Sequence, residues 1–227
     1  MTGTPATRSL RSFVAVALPE EVRARVFAAA GEMATSLPPA VRWTRKIENL
    51  HVTVKFLGPV EEERLASFGA ALSASFASTP PFDITVRGMG AFPSARHANV
   101  LWAGVDDASG RLAATAAIVE AAAARLRIGE PSILLQNPWT GSEPPAMRSD
   151  GQSPSSRHAN RPFRAHVTVG RSKVAVDARA ALAAMGDRLF GDVPVGAFCV
   201  YESQLGGGPH NAGSTYVLRH TAALGSN

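Results

Sequence analysis

Two copies of one tetrapeptide are the residues of this chain best suited to chemistry. His51-Val52-Thr53-Val54 recurs unchanged as His166-Val167-Thr168-Val169. Each copy lies in a short apolar run that reads as a β-strand, where alternate residues share a face. His51 and Thr53 therefore point one way and Val52 and Val54 the other, and the second copy repeats the arrangement. Two histidines across a groove can serve as general acid and general base. Two threonine hydroxyls can hold the oxygens of a phosphate. With six histidines in 227 residues, about 0.3 His-x-Thr matches are expected by chance, so one copy alone would say little and an identical pair says more. The plain alternative is two half-buried strands whose open faces happen to carry His and Thr, since Thr is a good strand former.

The flanking residues sharpen the pattern. The first copy continues from Arg42-Trp43-Thr44 and Glu48-Asn49-Leu50 into Lys55-Phe56-Leu57-Gly58. The second is embedded in Arg161-Pro162-Phe163-Arg164-Ala165 and Gly170-Arg171. The N-terminal region reads Ser12-Phe13-Val14-Ala15-Val16-Ala17-Leu18-Pro19-Glu20-Glu21-Val22. With these flanks, residues 11–224 resemble the 2H phosphoesterase superfamily, and within it the bacterial RNA 2′,3′-cyclic phosphodiesterases, also called 2′-5′ RNA ligases. The resemblance implies a single bilobal domain over 11–224 with a central groove. It implies opening of RNA 2′,3′-cyclic phosphates to 2′-phosphomonoesters. By that analogy His51 is the proton donor and His166 the proton acceptor. Thr53 and Thr168 are placed for the phosphate oxygens, where preorganised donors stabilise the charge that develops.

Arg171 is a third phosphate-binding candidate, because relatives often carry a basic residue there. Strict alternation assigns it to the valine face, so it reaches the groove only if the strand bends near Gly170. Lys55 shares the face of His51 by the same alternation and reads as a solvated strand-end lysine or a contact to an RNA phosphate. Phe56 falls on the valine face and reads as core. Trp43 and Phe163 flank the motifs, and Phe163 is core or a base-stacking platform. Two features depart from the family. Ala165 stands where relatives commonly have proline. Residues 129–160 are rich in Pro, Ser and Gly and form an insertion, expected to be flexible, which includes Trp139.

Composition narrows the partners. The chain carries a net charge of +5 and a pI of about 10.1, almost all of it from arginine. Arginine suits bidentate phosphate contacts, so RNA ends or a nucleotide substrate fit. A genome that favours Arg and Ala codons would add to the same bias. The single cysteine, Cys199, sits in an apolar run and reads as core. One cysteine permits no internal disulfide, which fits a reducing cytoplasm. No apolar run approaches the length of a membrane span. No His-x-His, His-Glu-x-x-His or paired cysteines suggest a metal site, and no phosphate-cradling glycine loop suggests a nucleotide cofactor. A metal-free, cofactor-free monomer is expected. His97, His158, His210 and His220 lack a Thr partner and carry no assignment.

Strands are expected at residues 13–18, 41–44, 50–56, 82–86, 100–105, 164–170, 195–202 and 215–221. Helices are expected at 19–35, 61–76, 111–126 and 177–189, with breaks at Pro38-Pro39, Gly58-Pro59 and Pro80-Pro81. This order is not strictly alternating and points to α+β with mostly antiparallel sheet. Gly206-Gly207-Gly208 reads as a hairpin loop between the closing strands. Other substrates share the same residues: 2′-5′-linked oligonucleotides, or a small cyclic nucleotide such as ADP-ribose cyclic phosphate. An RNA-binding module without turnover is the reading from another class.

Overall fold

The four motif valines dictate where the sheet must be buried. Val52, Val167 and Val169 are fully buried and Val54 nearly so. Each buried valine contributes roughly 1.5–3 kcal/mol, and a one-residue slip would expose all four while burying the His and Thr pairs. Register is therefore pinned by the same residues that present the motifs. The computed structural model describes residues 8–129, 163–205 and 213–225.

In chain order the elements are β1 (Ser9–Ala17), α1 (Glu20–Ala34), β2 (Val41–Trp43), β3 (His51–Glu61), α2 (Glu62–Phe76), β4 (Phe82–Pro93), β5 (Ala98–Asp106), α3 (Arg111–Arg125), β6 (His166–Val176), α4 (Arg179–Met185), β7 (Leu189–Val195), β8 (Ala197–Leu205) and β9 (Ser214–Ala223). Among the described residues these strands form one nine-stranded sheet, ordered β7-β4-β5-β6-β3-β1-β8-β9, with β2 paired to β6. All pairings are antiparallel, and the fold is α+β.

The two motif strands are neighbours at the centre of this order. Their pairing is brief, a single bridge at Val52↔Val167. On one side lie β3, β1, β8 and β9, and on the other β6, β5, β4 and β7. Helices α2 and α3 pack on the first half, and α1 and α4 on the second. The halves are thus not the N- and C-terminal halves of the sequence: the first and last strands share one, and the middle of the chain builds the other.

Apolar spacing explains the helices. Leu65, Phe68, Leu72 and Phe76 make the buried stripe of α2, and Val22, Val26, Ala29 and Met33 that of α1. Both stripes join one continuous core. Glu20 and Glu21 open α1, where carboxylates complement the exposed N–H groups.

Three expectations are corrected. The helix expected at 177–189 stops at Met185, because Gly186 adopts a φ of 54°. Residues Leu189–Val195 are instead an edge strand on β4, with Phe190, Val193 and Val195 buried. Its Gly and Pro masked the alternation. Strand β4 continues past 86 to Pro93. Gly58-Pro59 does not end β3, which runs on to Glu61 with Pro59 opposite Arg11. Beyond the Val52 bridge β3 pairs only with β1 among the described residues, so this stretch has one open edge, where proline is tolerated. The 129–160 insertion beyond Gly129, with Trp139 and His158, lies outside the described residues, as do His210 and 206–208. Among the described residues no helix is long and apolar enough to cross a membrane.

Candidate active site

The site is built where β3 and β6 meet. The Val52↔Val167 bridge places the valines on the buried face, so His51, Thr53, His166 and Thr168 share the opposite face. Both rings are anchored in the same way. His51 Nδ1 donates to the carbonyl oxygen of Asn49 at 2.7 Å, and His166 Nδ1 donates to that of Arg164 at 2.6 Å. A carbonyl only accepts, so Nδ1 carries the hydrogen and Nε2 is left for chemistry when the ring is neutral. The Thr53 hydroxyl lies 2.9 Å from His51 Nε2 and donates to it in that state. The Nε2 of His166 and the Thr168 hydroxyl have no hydrogen-bond partner among the described residues.

Each ring is also wedged between aromatics. His51 stacks on Phe13, with centroids 4.9 Å apart, and meets the edge of Tyr216 at 5.2 Å. His166 meets Phe92 edge-on at 5.2 Å and Trp102 at 6.4 Å. Burial among these rings disfavours the charged imidazolium. It lowers His51 from the ordinary 6.5 to about 4, against the Asn49 carbonyl bond that opposes the shift and with repulsion from His166 and Arg171 adding to it. His166 is lowered for the same leading reason, with the Arg164 carbonyl opposing and Arg171 contributing repulsion. Both shifts favour the neutral ring at pH 7.

A bulge at the same motif position in both strands decides how the residues after each His-x-Thr are oriented. On β1, Ala15 faces Thr53 and Val14 faces Lys55, leaving Val54 as the extra residue. On β5, Trp102 faces Thr168 and Leu101 faces Gly170, leaving Val169 as the extra residue. An inserted residue swaps the faces of everything beyond it. Arg171 therefore joins the His and Thr face, which strict alternation forbids. Its counterpart in β3, Phe56, turns out of the core and is 64% exposed. Lys55 turns in. It is 3% exposed and its Nζ pairs with Glu120 on α3 at 2.8 Å. The expectations that Lys55 is a solvated or phosphate-facing lysine and that Phe56 is core are both overturned by this one bulge. Trp43 packs over Gly170, where a Cβ would come within 3.1 Å of its ring.

A groove of about 1040 Å³ runs along this face. His51, Thr53, Phe56, Thr168 and Arg171 are on its walls. His166 stands beside it rather than on its wall, near enough that its charge opposes protonation of His51. The walls also carry Arg11, Arg42, Arg45 and Lys46, so among the described residues five cationic side chains line the groove and no Asp or Glu does. Such a groove selects anions. Among the described residues no three His, Cys, Asp or Glu side chains group as a metal centre would require. Phe163 and Ala165 pack partly buried against the core, His97 is exposed and Cys199 is buried. His220 bonds Ser73 on α2 at 2.8 Å, with its ring over Gly69, and serves packing.

Sequence reasoning missed the carbonyls of Asn49 and Arg164. Their shared position two residues before each histidine is the signal that was available. Phe13 and Tyr216 had no such signal, since distant strands bring them in.

Residues 16–102 match the family model described as "LigT like Phosphoesterase". The chain is 35% identical over 98 residues to the RNA 2′,3′-cyclic phosphodiesterase of Methanothermobacter thermautotrophicus, covering 43% of this chain and 52% of that protein. It is 36% identical over 100 residues to the protein of the same name from Archaeoglobus fulgidus, covering 43% and 53%. The chain thus spans about half the length of the curated relatives it matches. The crystal structure of TT0787 of Thermus thermophilus superposes with a TM-score of 0.67 at 25% identity, over 96% of this chain and all of that one.

Proposed function

We propose, from the similarity of residues 16–102 to the LigT-like phosphoesterases, that this chain hydrolyses RNA 2′,3′-cyclic phosphate ends to 2′-phosphomonoesters without a metal. One observation carries the reading: two His-x-Thr pairs on one face of adjacent antiparallel strands, each histidine tethered through Nδ1 to the carbonyl two residues before it.

Water attacks phosphorus while His166 Nε2 takes its proton. The bond from phosphorus to the ribose 3′-oxygen breaks, and His51 gives that oxygen a proton. Thr53, Thr168 and Arg171 hold the non-bridging oxygens as their charge grows. The anionic phosphate brings a negative charge that raises the histidine pKa values so that one ring can be charged. His51 is then a strong donor because burial continues to press its proton off. Five cations along the groove, and Phe56 exposed on its wall, favour an RNA strand with a stacked base over a small cyclic nucleotide. The single buried cysteine is consistent with a protein of the reducing cytoplasm.

The test uses a short RNA ending in a 2′,3′-cyclic phosphate, with EDTA present. Wild-type protein should release 2′-phosphate, and His51→Ala and His166→Ala should each abolish release while still binding RNA. Turnover that survives both substitutions, or requires added metal, would overturn the reading.

A further inference from the structure

A second, smaller cavity of about 120 Å³ also has His51 on its wall. His51, Lys46, Asn49 and Tyr216 are walls of both cavities, so the small one is a side chamber of the groove. Its remaining polar walls include Arg23 from α1 and Tyr201 from β8. The volume holds several waters, and therefore a phosphoryl group.

The chamber is electrostatically incomplete. Arg23 Nε is buried and has no hydrogen-bond partner among the described residues. Arg23 lines the chamber, so its cationic guanidinium borders that space. Neither Arg23 nor Lys46 forms a salt bridge among the described residues, and Lys46 Nζ reaches only the Thr215 hydroxyl at 3.1 Å. The one carboxylate on the wall, Glu48, is exposed. Burial raises both tyrosines, Tyr201 to about 12, so each keeps its hydroxyl proton and can donate it.

Reaction geometry says which anion belongs there. The oxygen that leaves phosphorus stays on the ribose, and it is protonated by His51. The ribose therefore lies on the His51 side of the phosphorus, and the chain continues from its 5′-oxygen in that direction. We propose that this chamber is a subsite for the phosphate on the 5′-oxygen of the terminal nucleotide, held by Arg23 and Lys46. This rests on the cyclic phosphodiesterase reading with His51 as donor.

The test compares adenosine 2′,5′-bisphosphate with adenosine 2′-monophosphate by titration calorimetry, in wild type, Arg23→Met and Arg23→Lys. Wild type should bind the bisphosphate about tenfold more tightly, as charge-assisted bonds to a second phosphate require. The margin should vanish in Arg23→Met and return in part in Arg23→Lys, which also covers the case in which Arg23→Met does not fold. Equal binding of the two ligands by wild type would overturn the subsite. So would a margin that survives Arg23→Met, because the groove cations would then be its source. Hydrolysis of adenosine 2′,3′-cyclic phosphate is assayed in parallel. Its absence would sink the catalytic reading, while the affinity margin would still decide the chamber.

Discussion

The depressed pKa of His51 makes a prediction that links stability to catalysis. The unfolded chain titrates this ring near 6.5 and the folded protein near 4. Between these values the unfolded state binds more protons, so stability is fully present above pH 6.5 and drains as pH falls toward 4. The whole shift corresponds to at most about 3.4 kcal/mol. Between pH 7 and pH 4.5 linkage assigns His51 a loss on the order of 2 kcal/mol, the half-buried ring keeping some contact with solvent. His166 adds a loss of the same sign, because it is lowered too. The perturbation is His51→Asn, whose amide reaches toward the Asn49 carbonyl but does not titrate. Urea unfolding at pH 7 and pH 4.5 should show the variant losing about 2 kcal/mol less than wild type over that interval. Ring resonances followed by NMR should place the wild-type His51 midpoint well below 6, and inorganic phosphate should raise it. A midpoint near 6.5, or the same pH loss in variant and wild type, would refute the reasoning and with it the idea that the anionic substrate charges the acid.

Two further outcomes derive from the bulges. Lys55→Ala should destabilise the fold by about 3 kcal/mol, seen by urea unfolding, because it removes the ion pair to Glu120 and empties the buried space that the lysine fills; a loss of RNA affinity at unchanged stability would contradict this placement. Phe56→Ala should leave stability within about 0.5 kcal/mol while weakening RNA binding by roughly 1–3 kcal/mol, with Phe56→Trp restoring it; fluorescence titration with a labelled oligonucleotide separates the two effects.

Several features of the protein were legible in its residues alone. The paired His-x-Thr sets, their division into a valine face and a polar face, the helices α1 to α3 and the antiparallel α+β class all follow from local periodicity and end signals. These depend on neighbours within a few positions, which is why sequence carries them. The short helix and edge strand at Arg179–Val195 were not legible, because Gly186, Gly191 and Pro194 interrupt the pattern that burial against β4 and α1 imposes.

What only the tertiary structure decided is the identity of the residues beyond each motif that face the groove. Alternation sends Arg171 and Phe56 inward and Lys55 outward. The extra residues Val54 and Val169, unpaired on β1 and β5, reverse all three. A bulge is a property of two strands in register, and no single strand announces it. The same holds for the low pKa of His51, which Phe13 and Tyr216 impose from strands distant in sequence. His and Thr at alternate positions follow from chain chemistry alone, whereas their environment comes from packing between segments that the chain brings together only when folded.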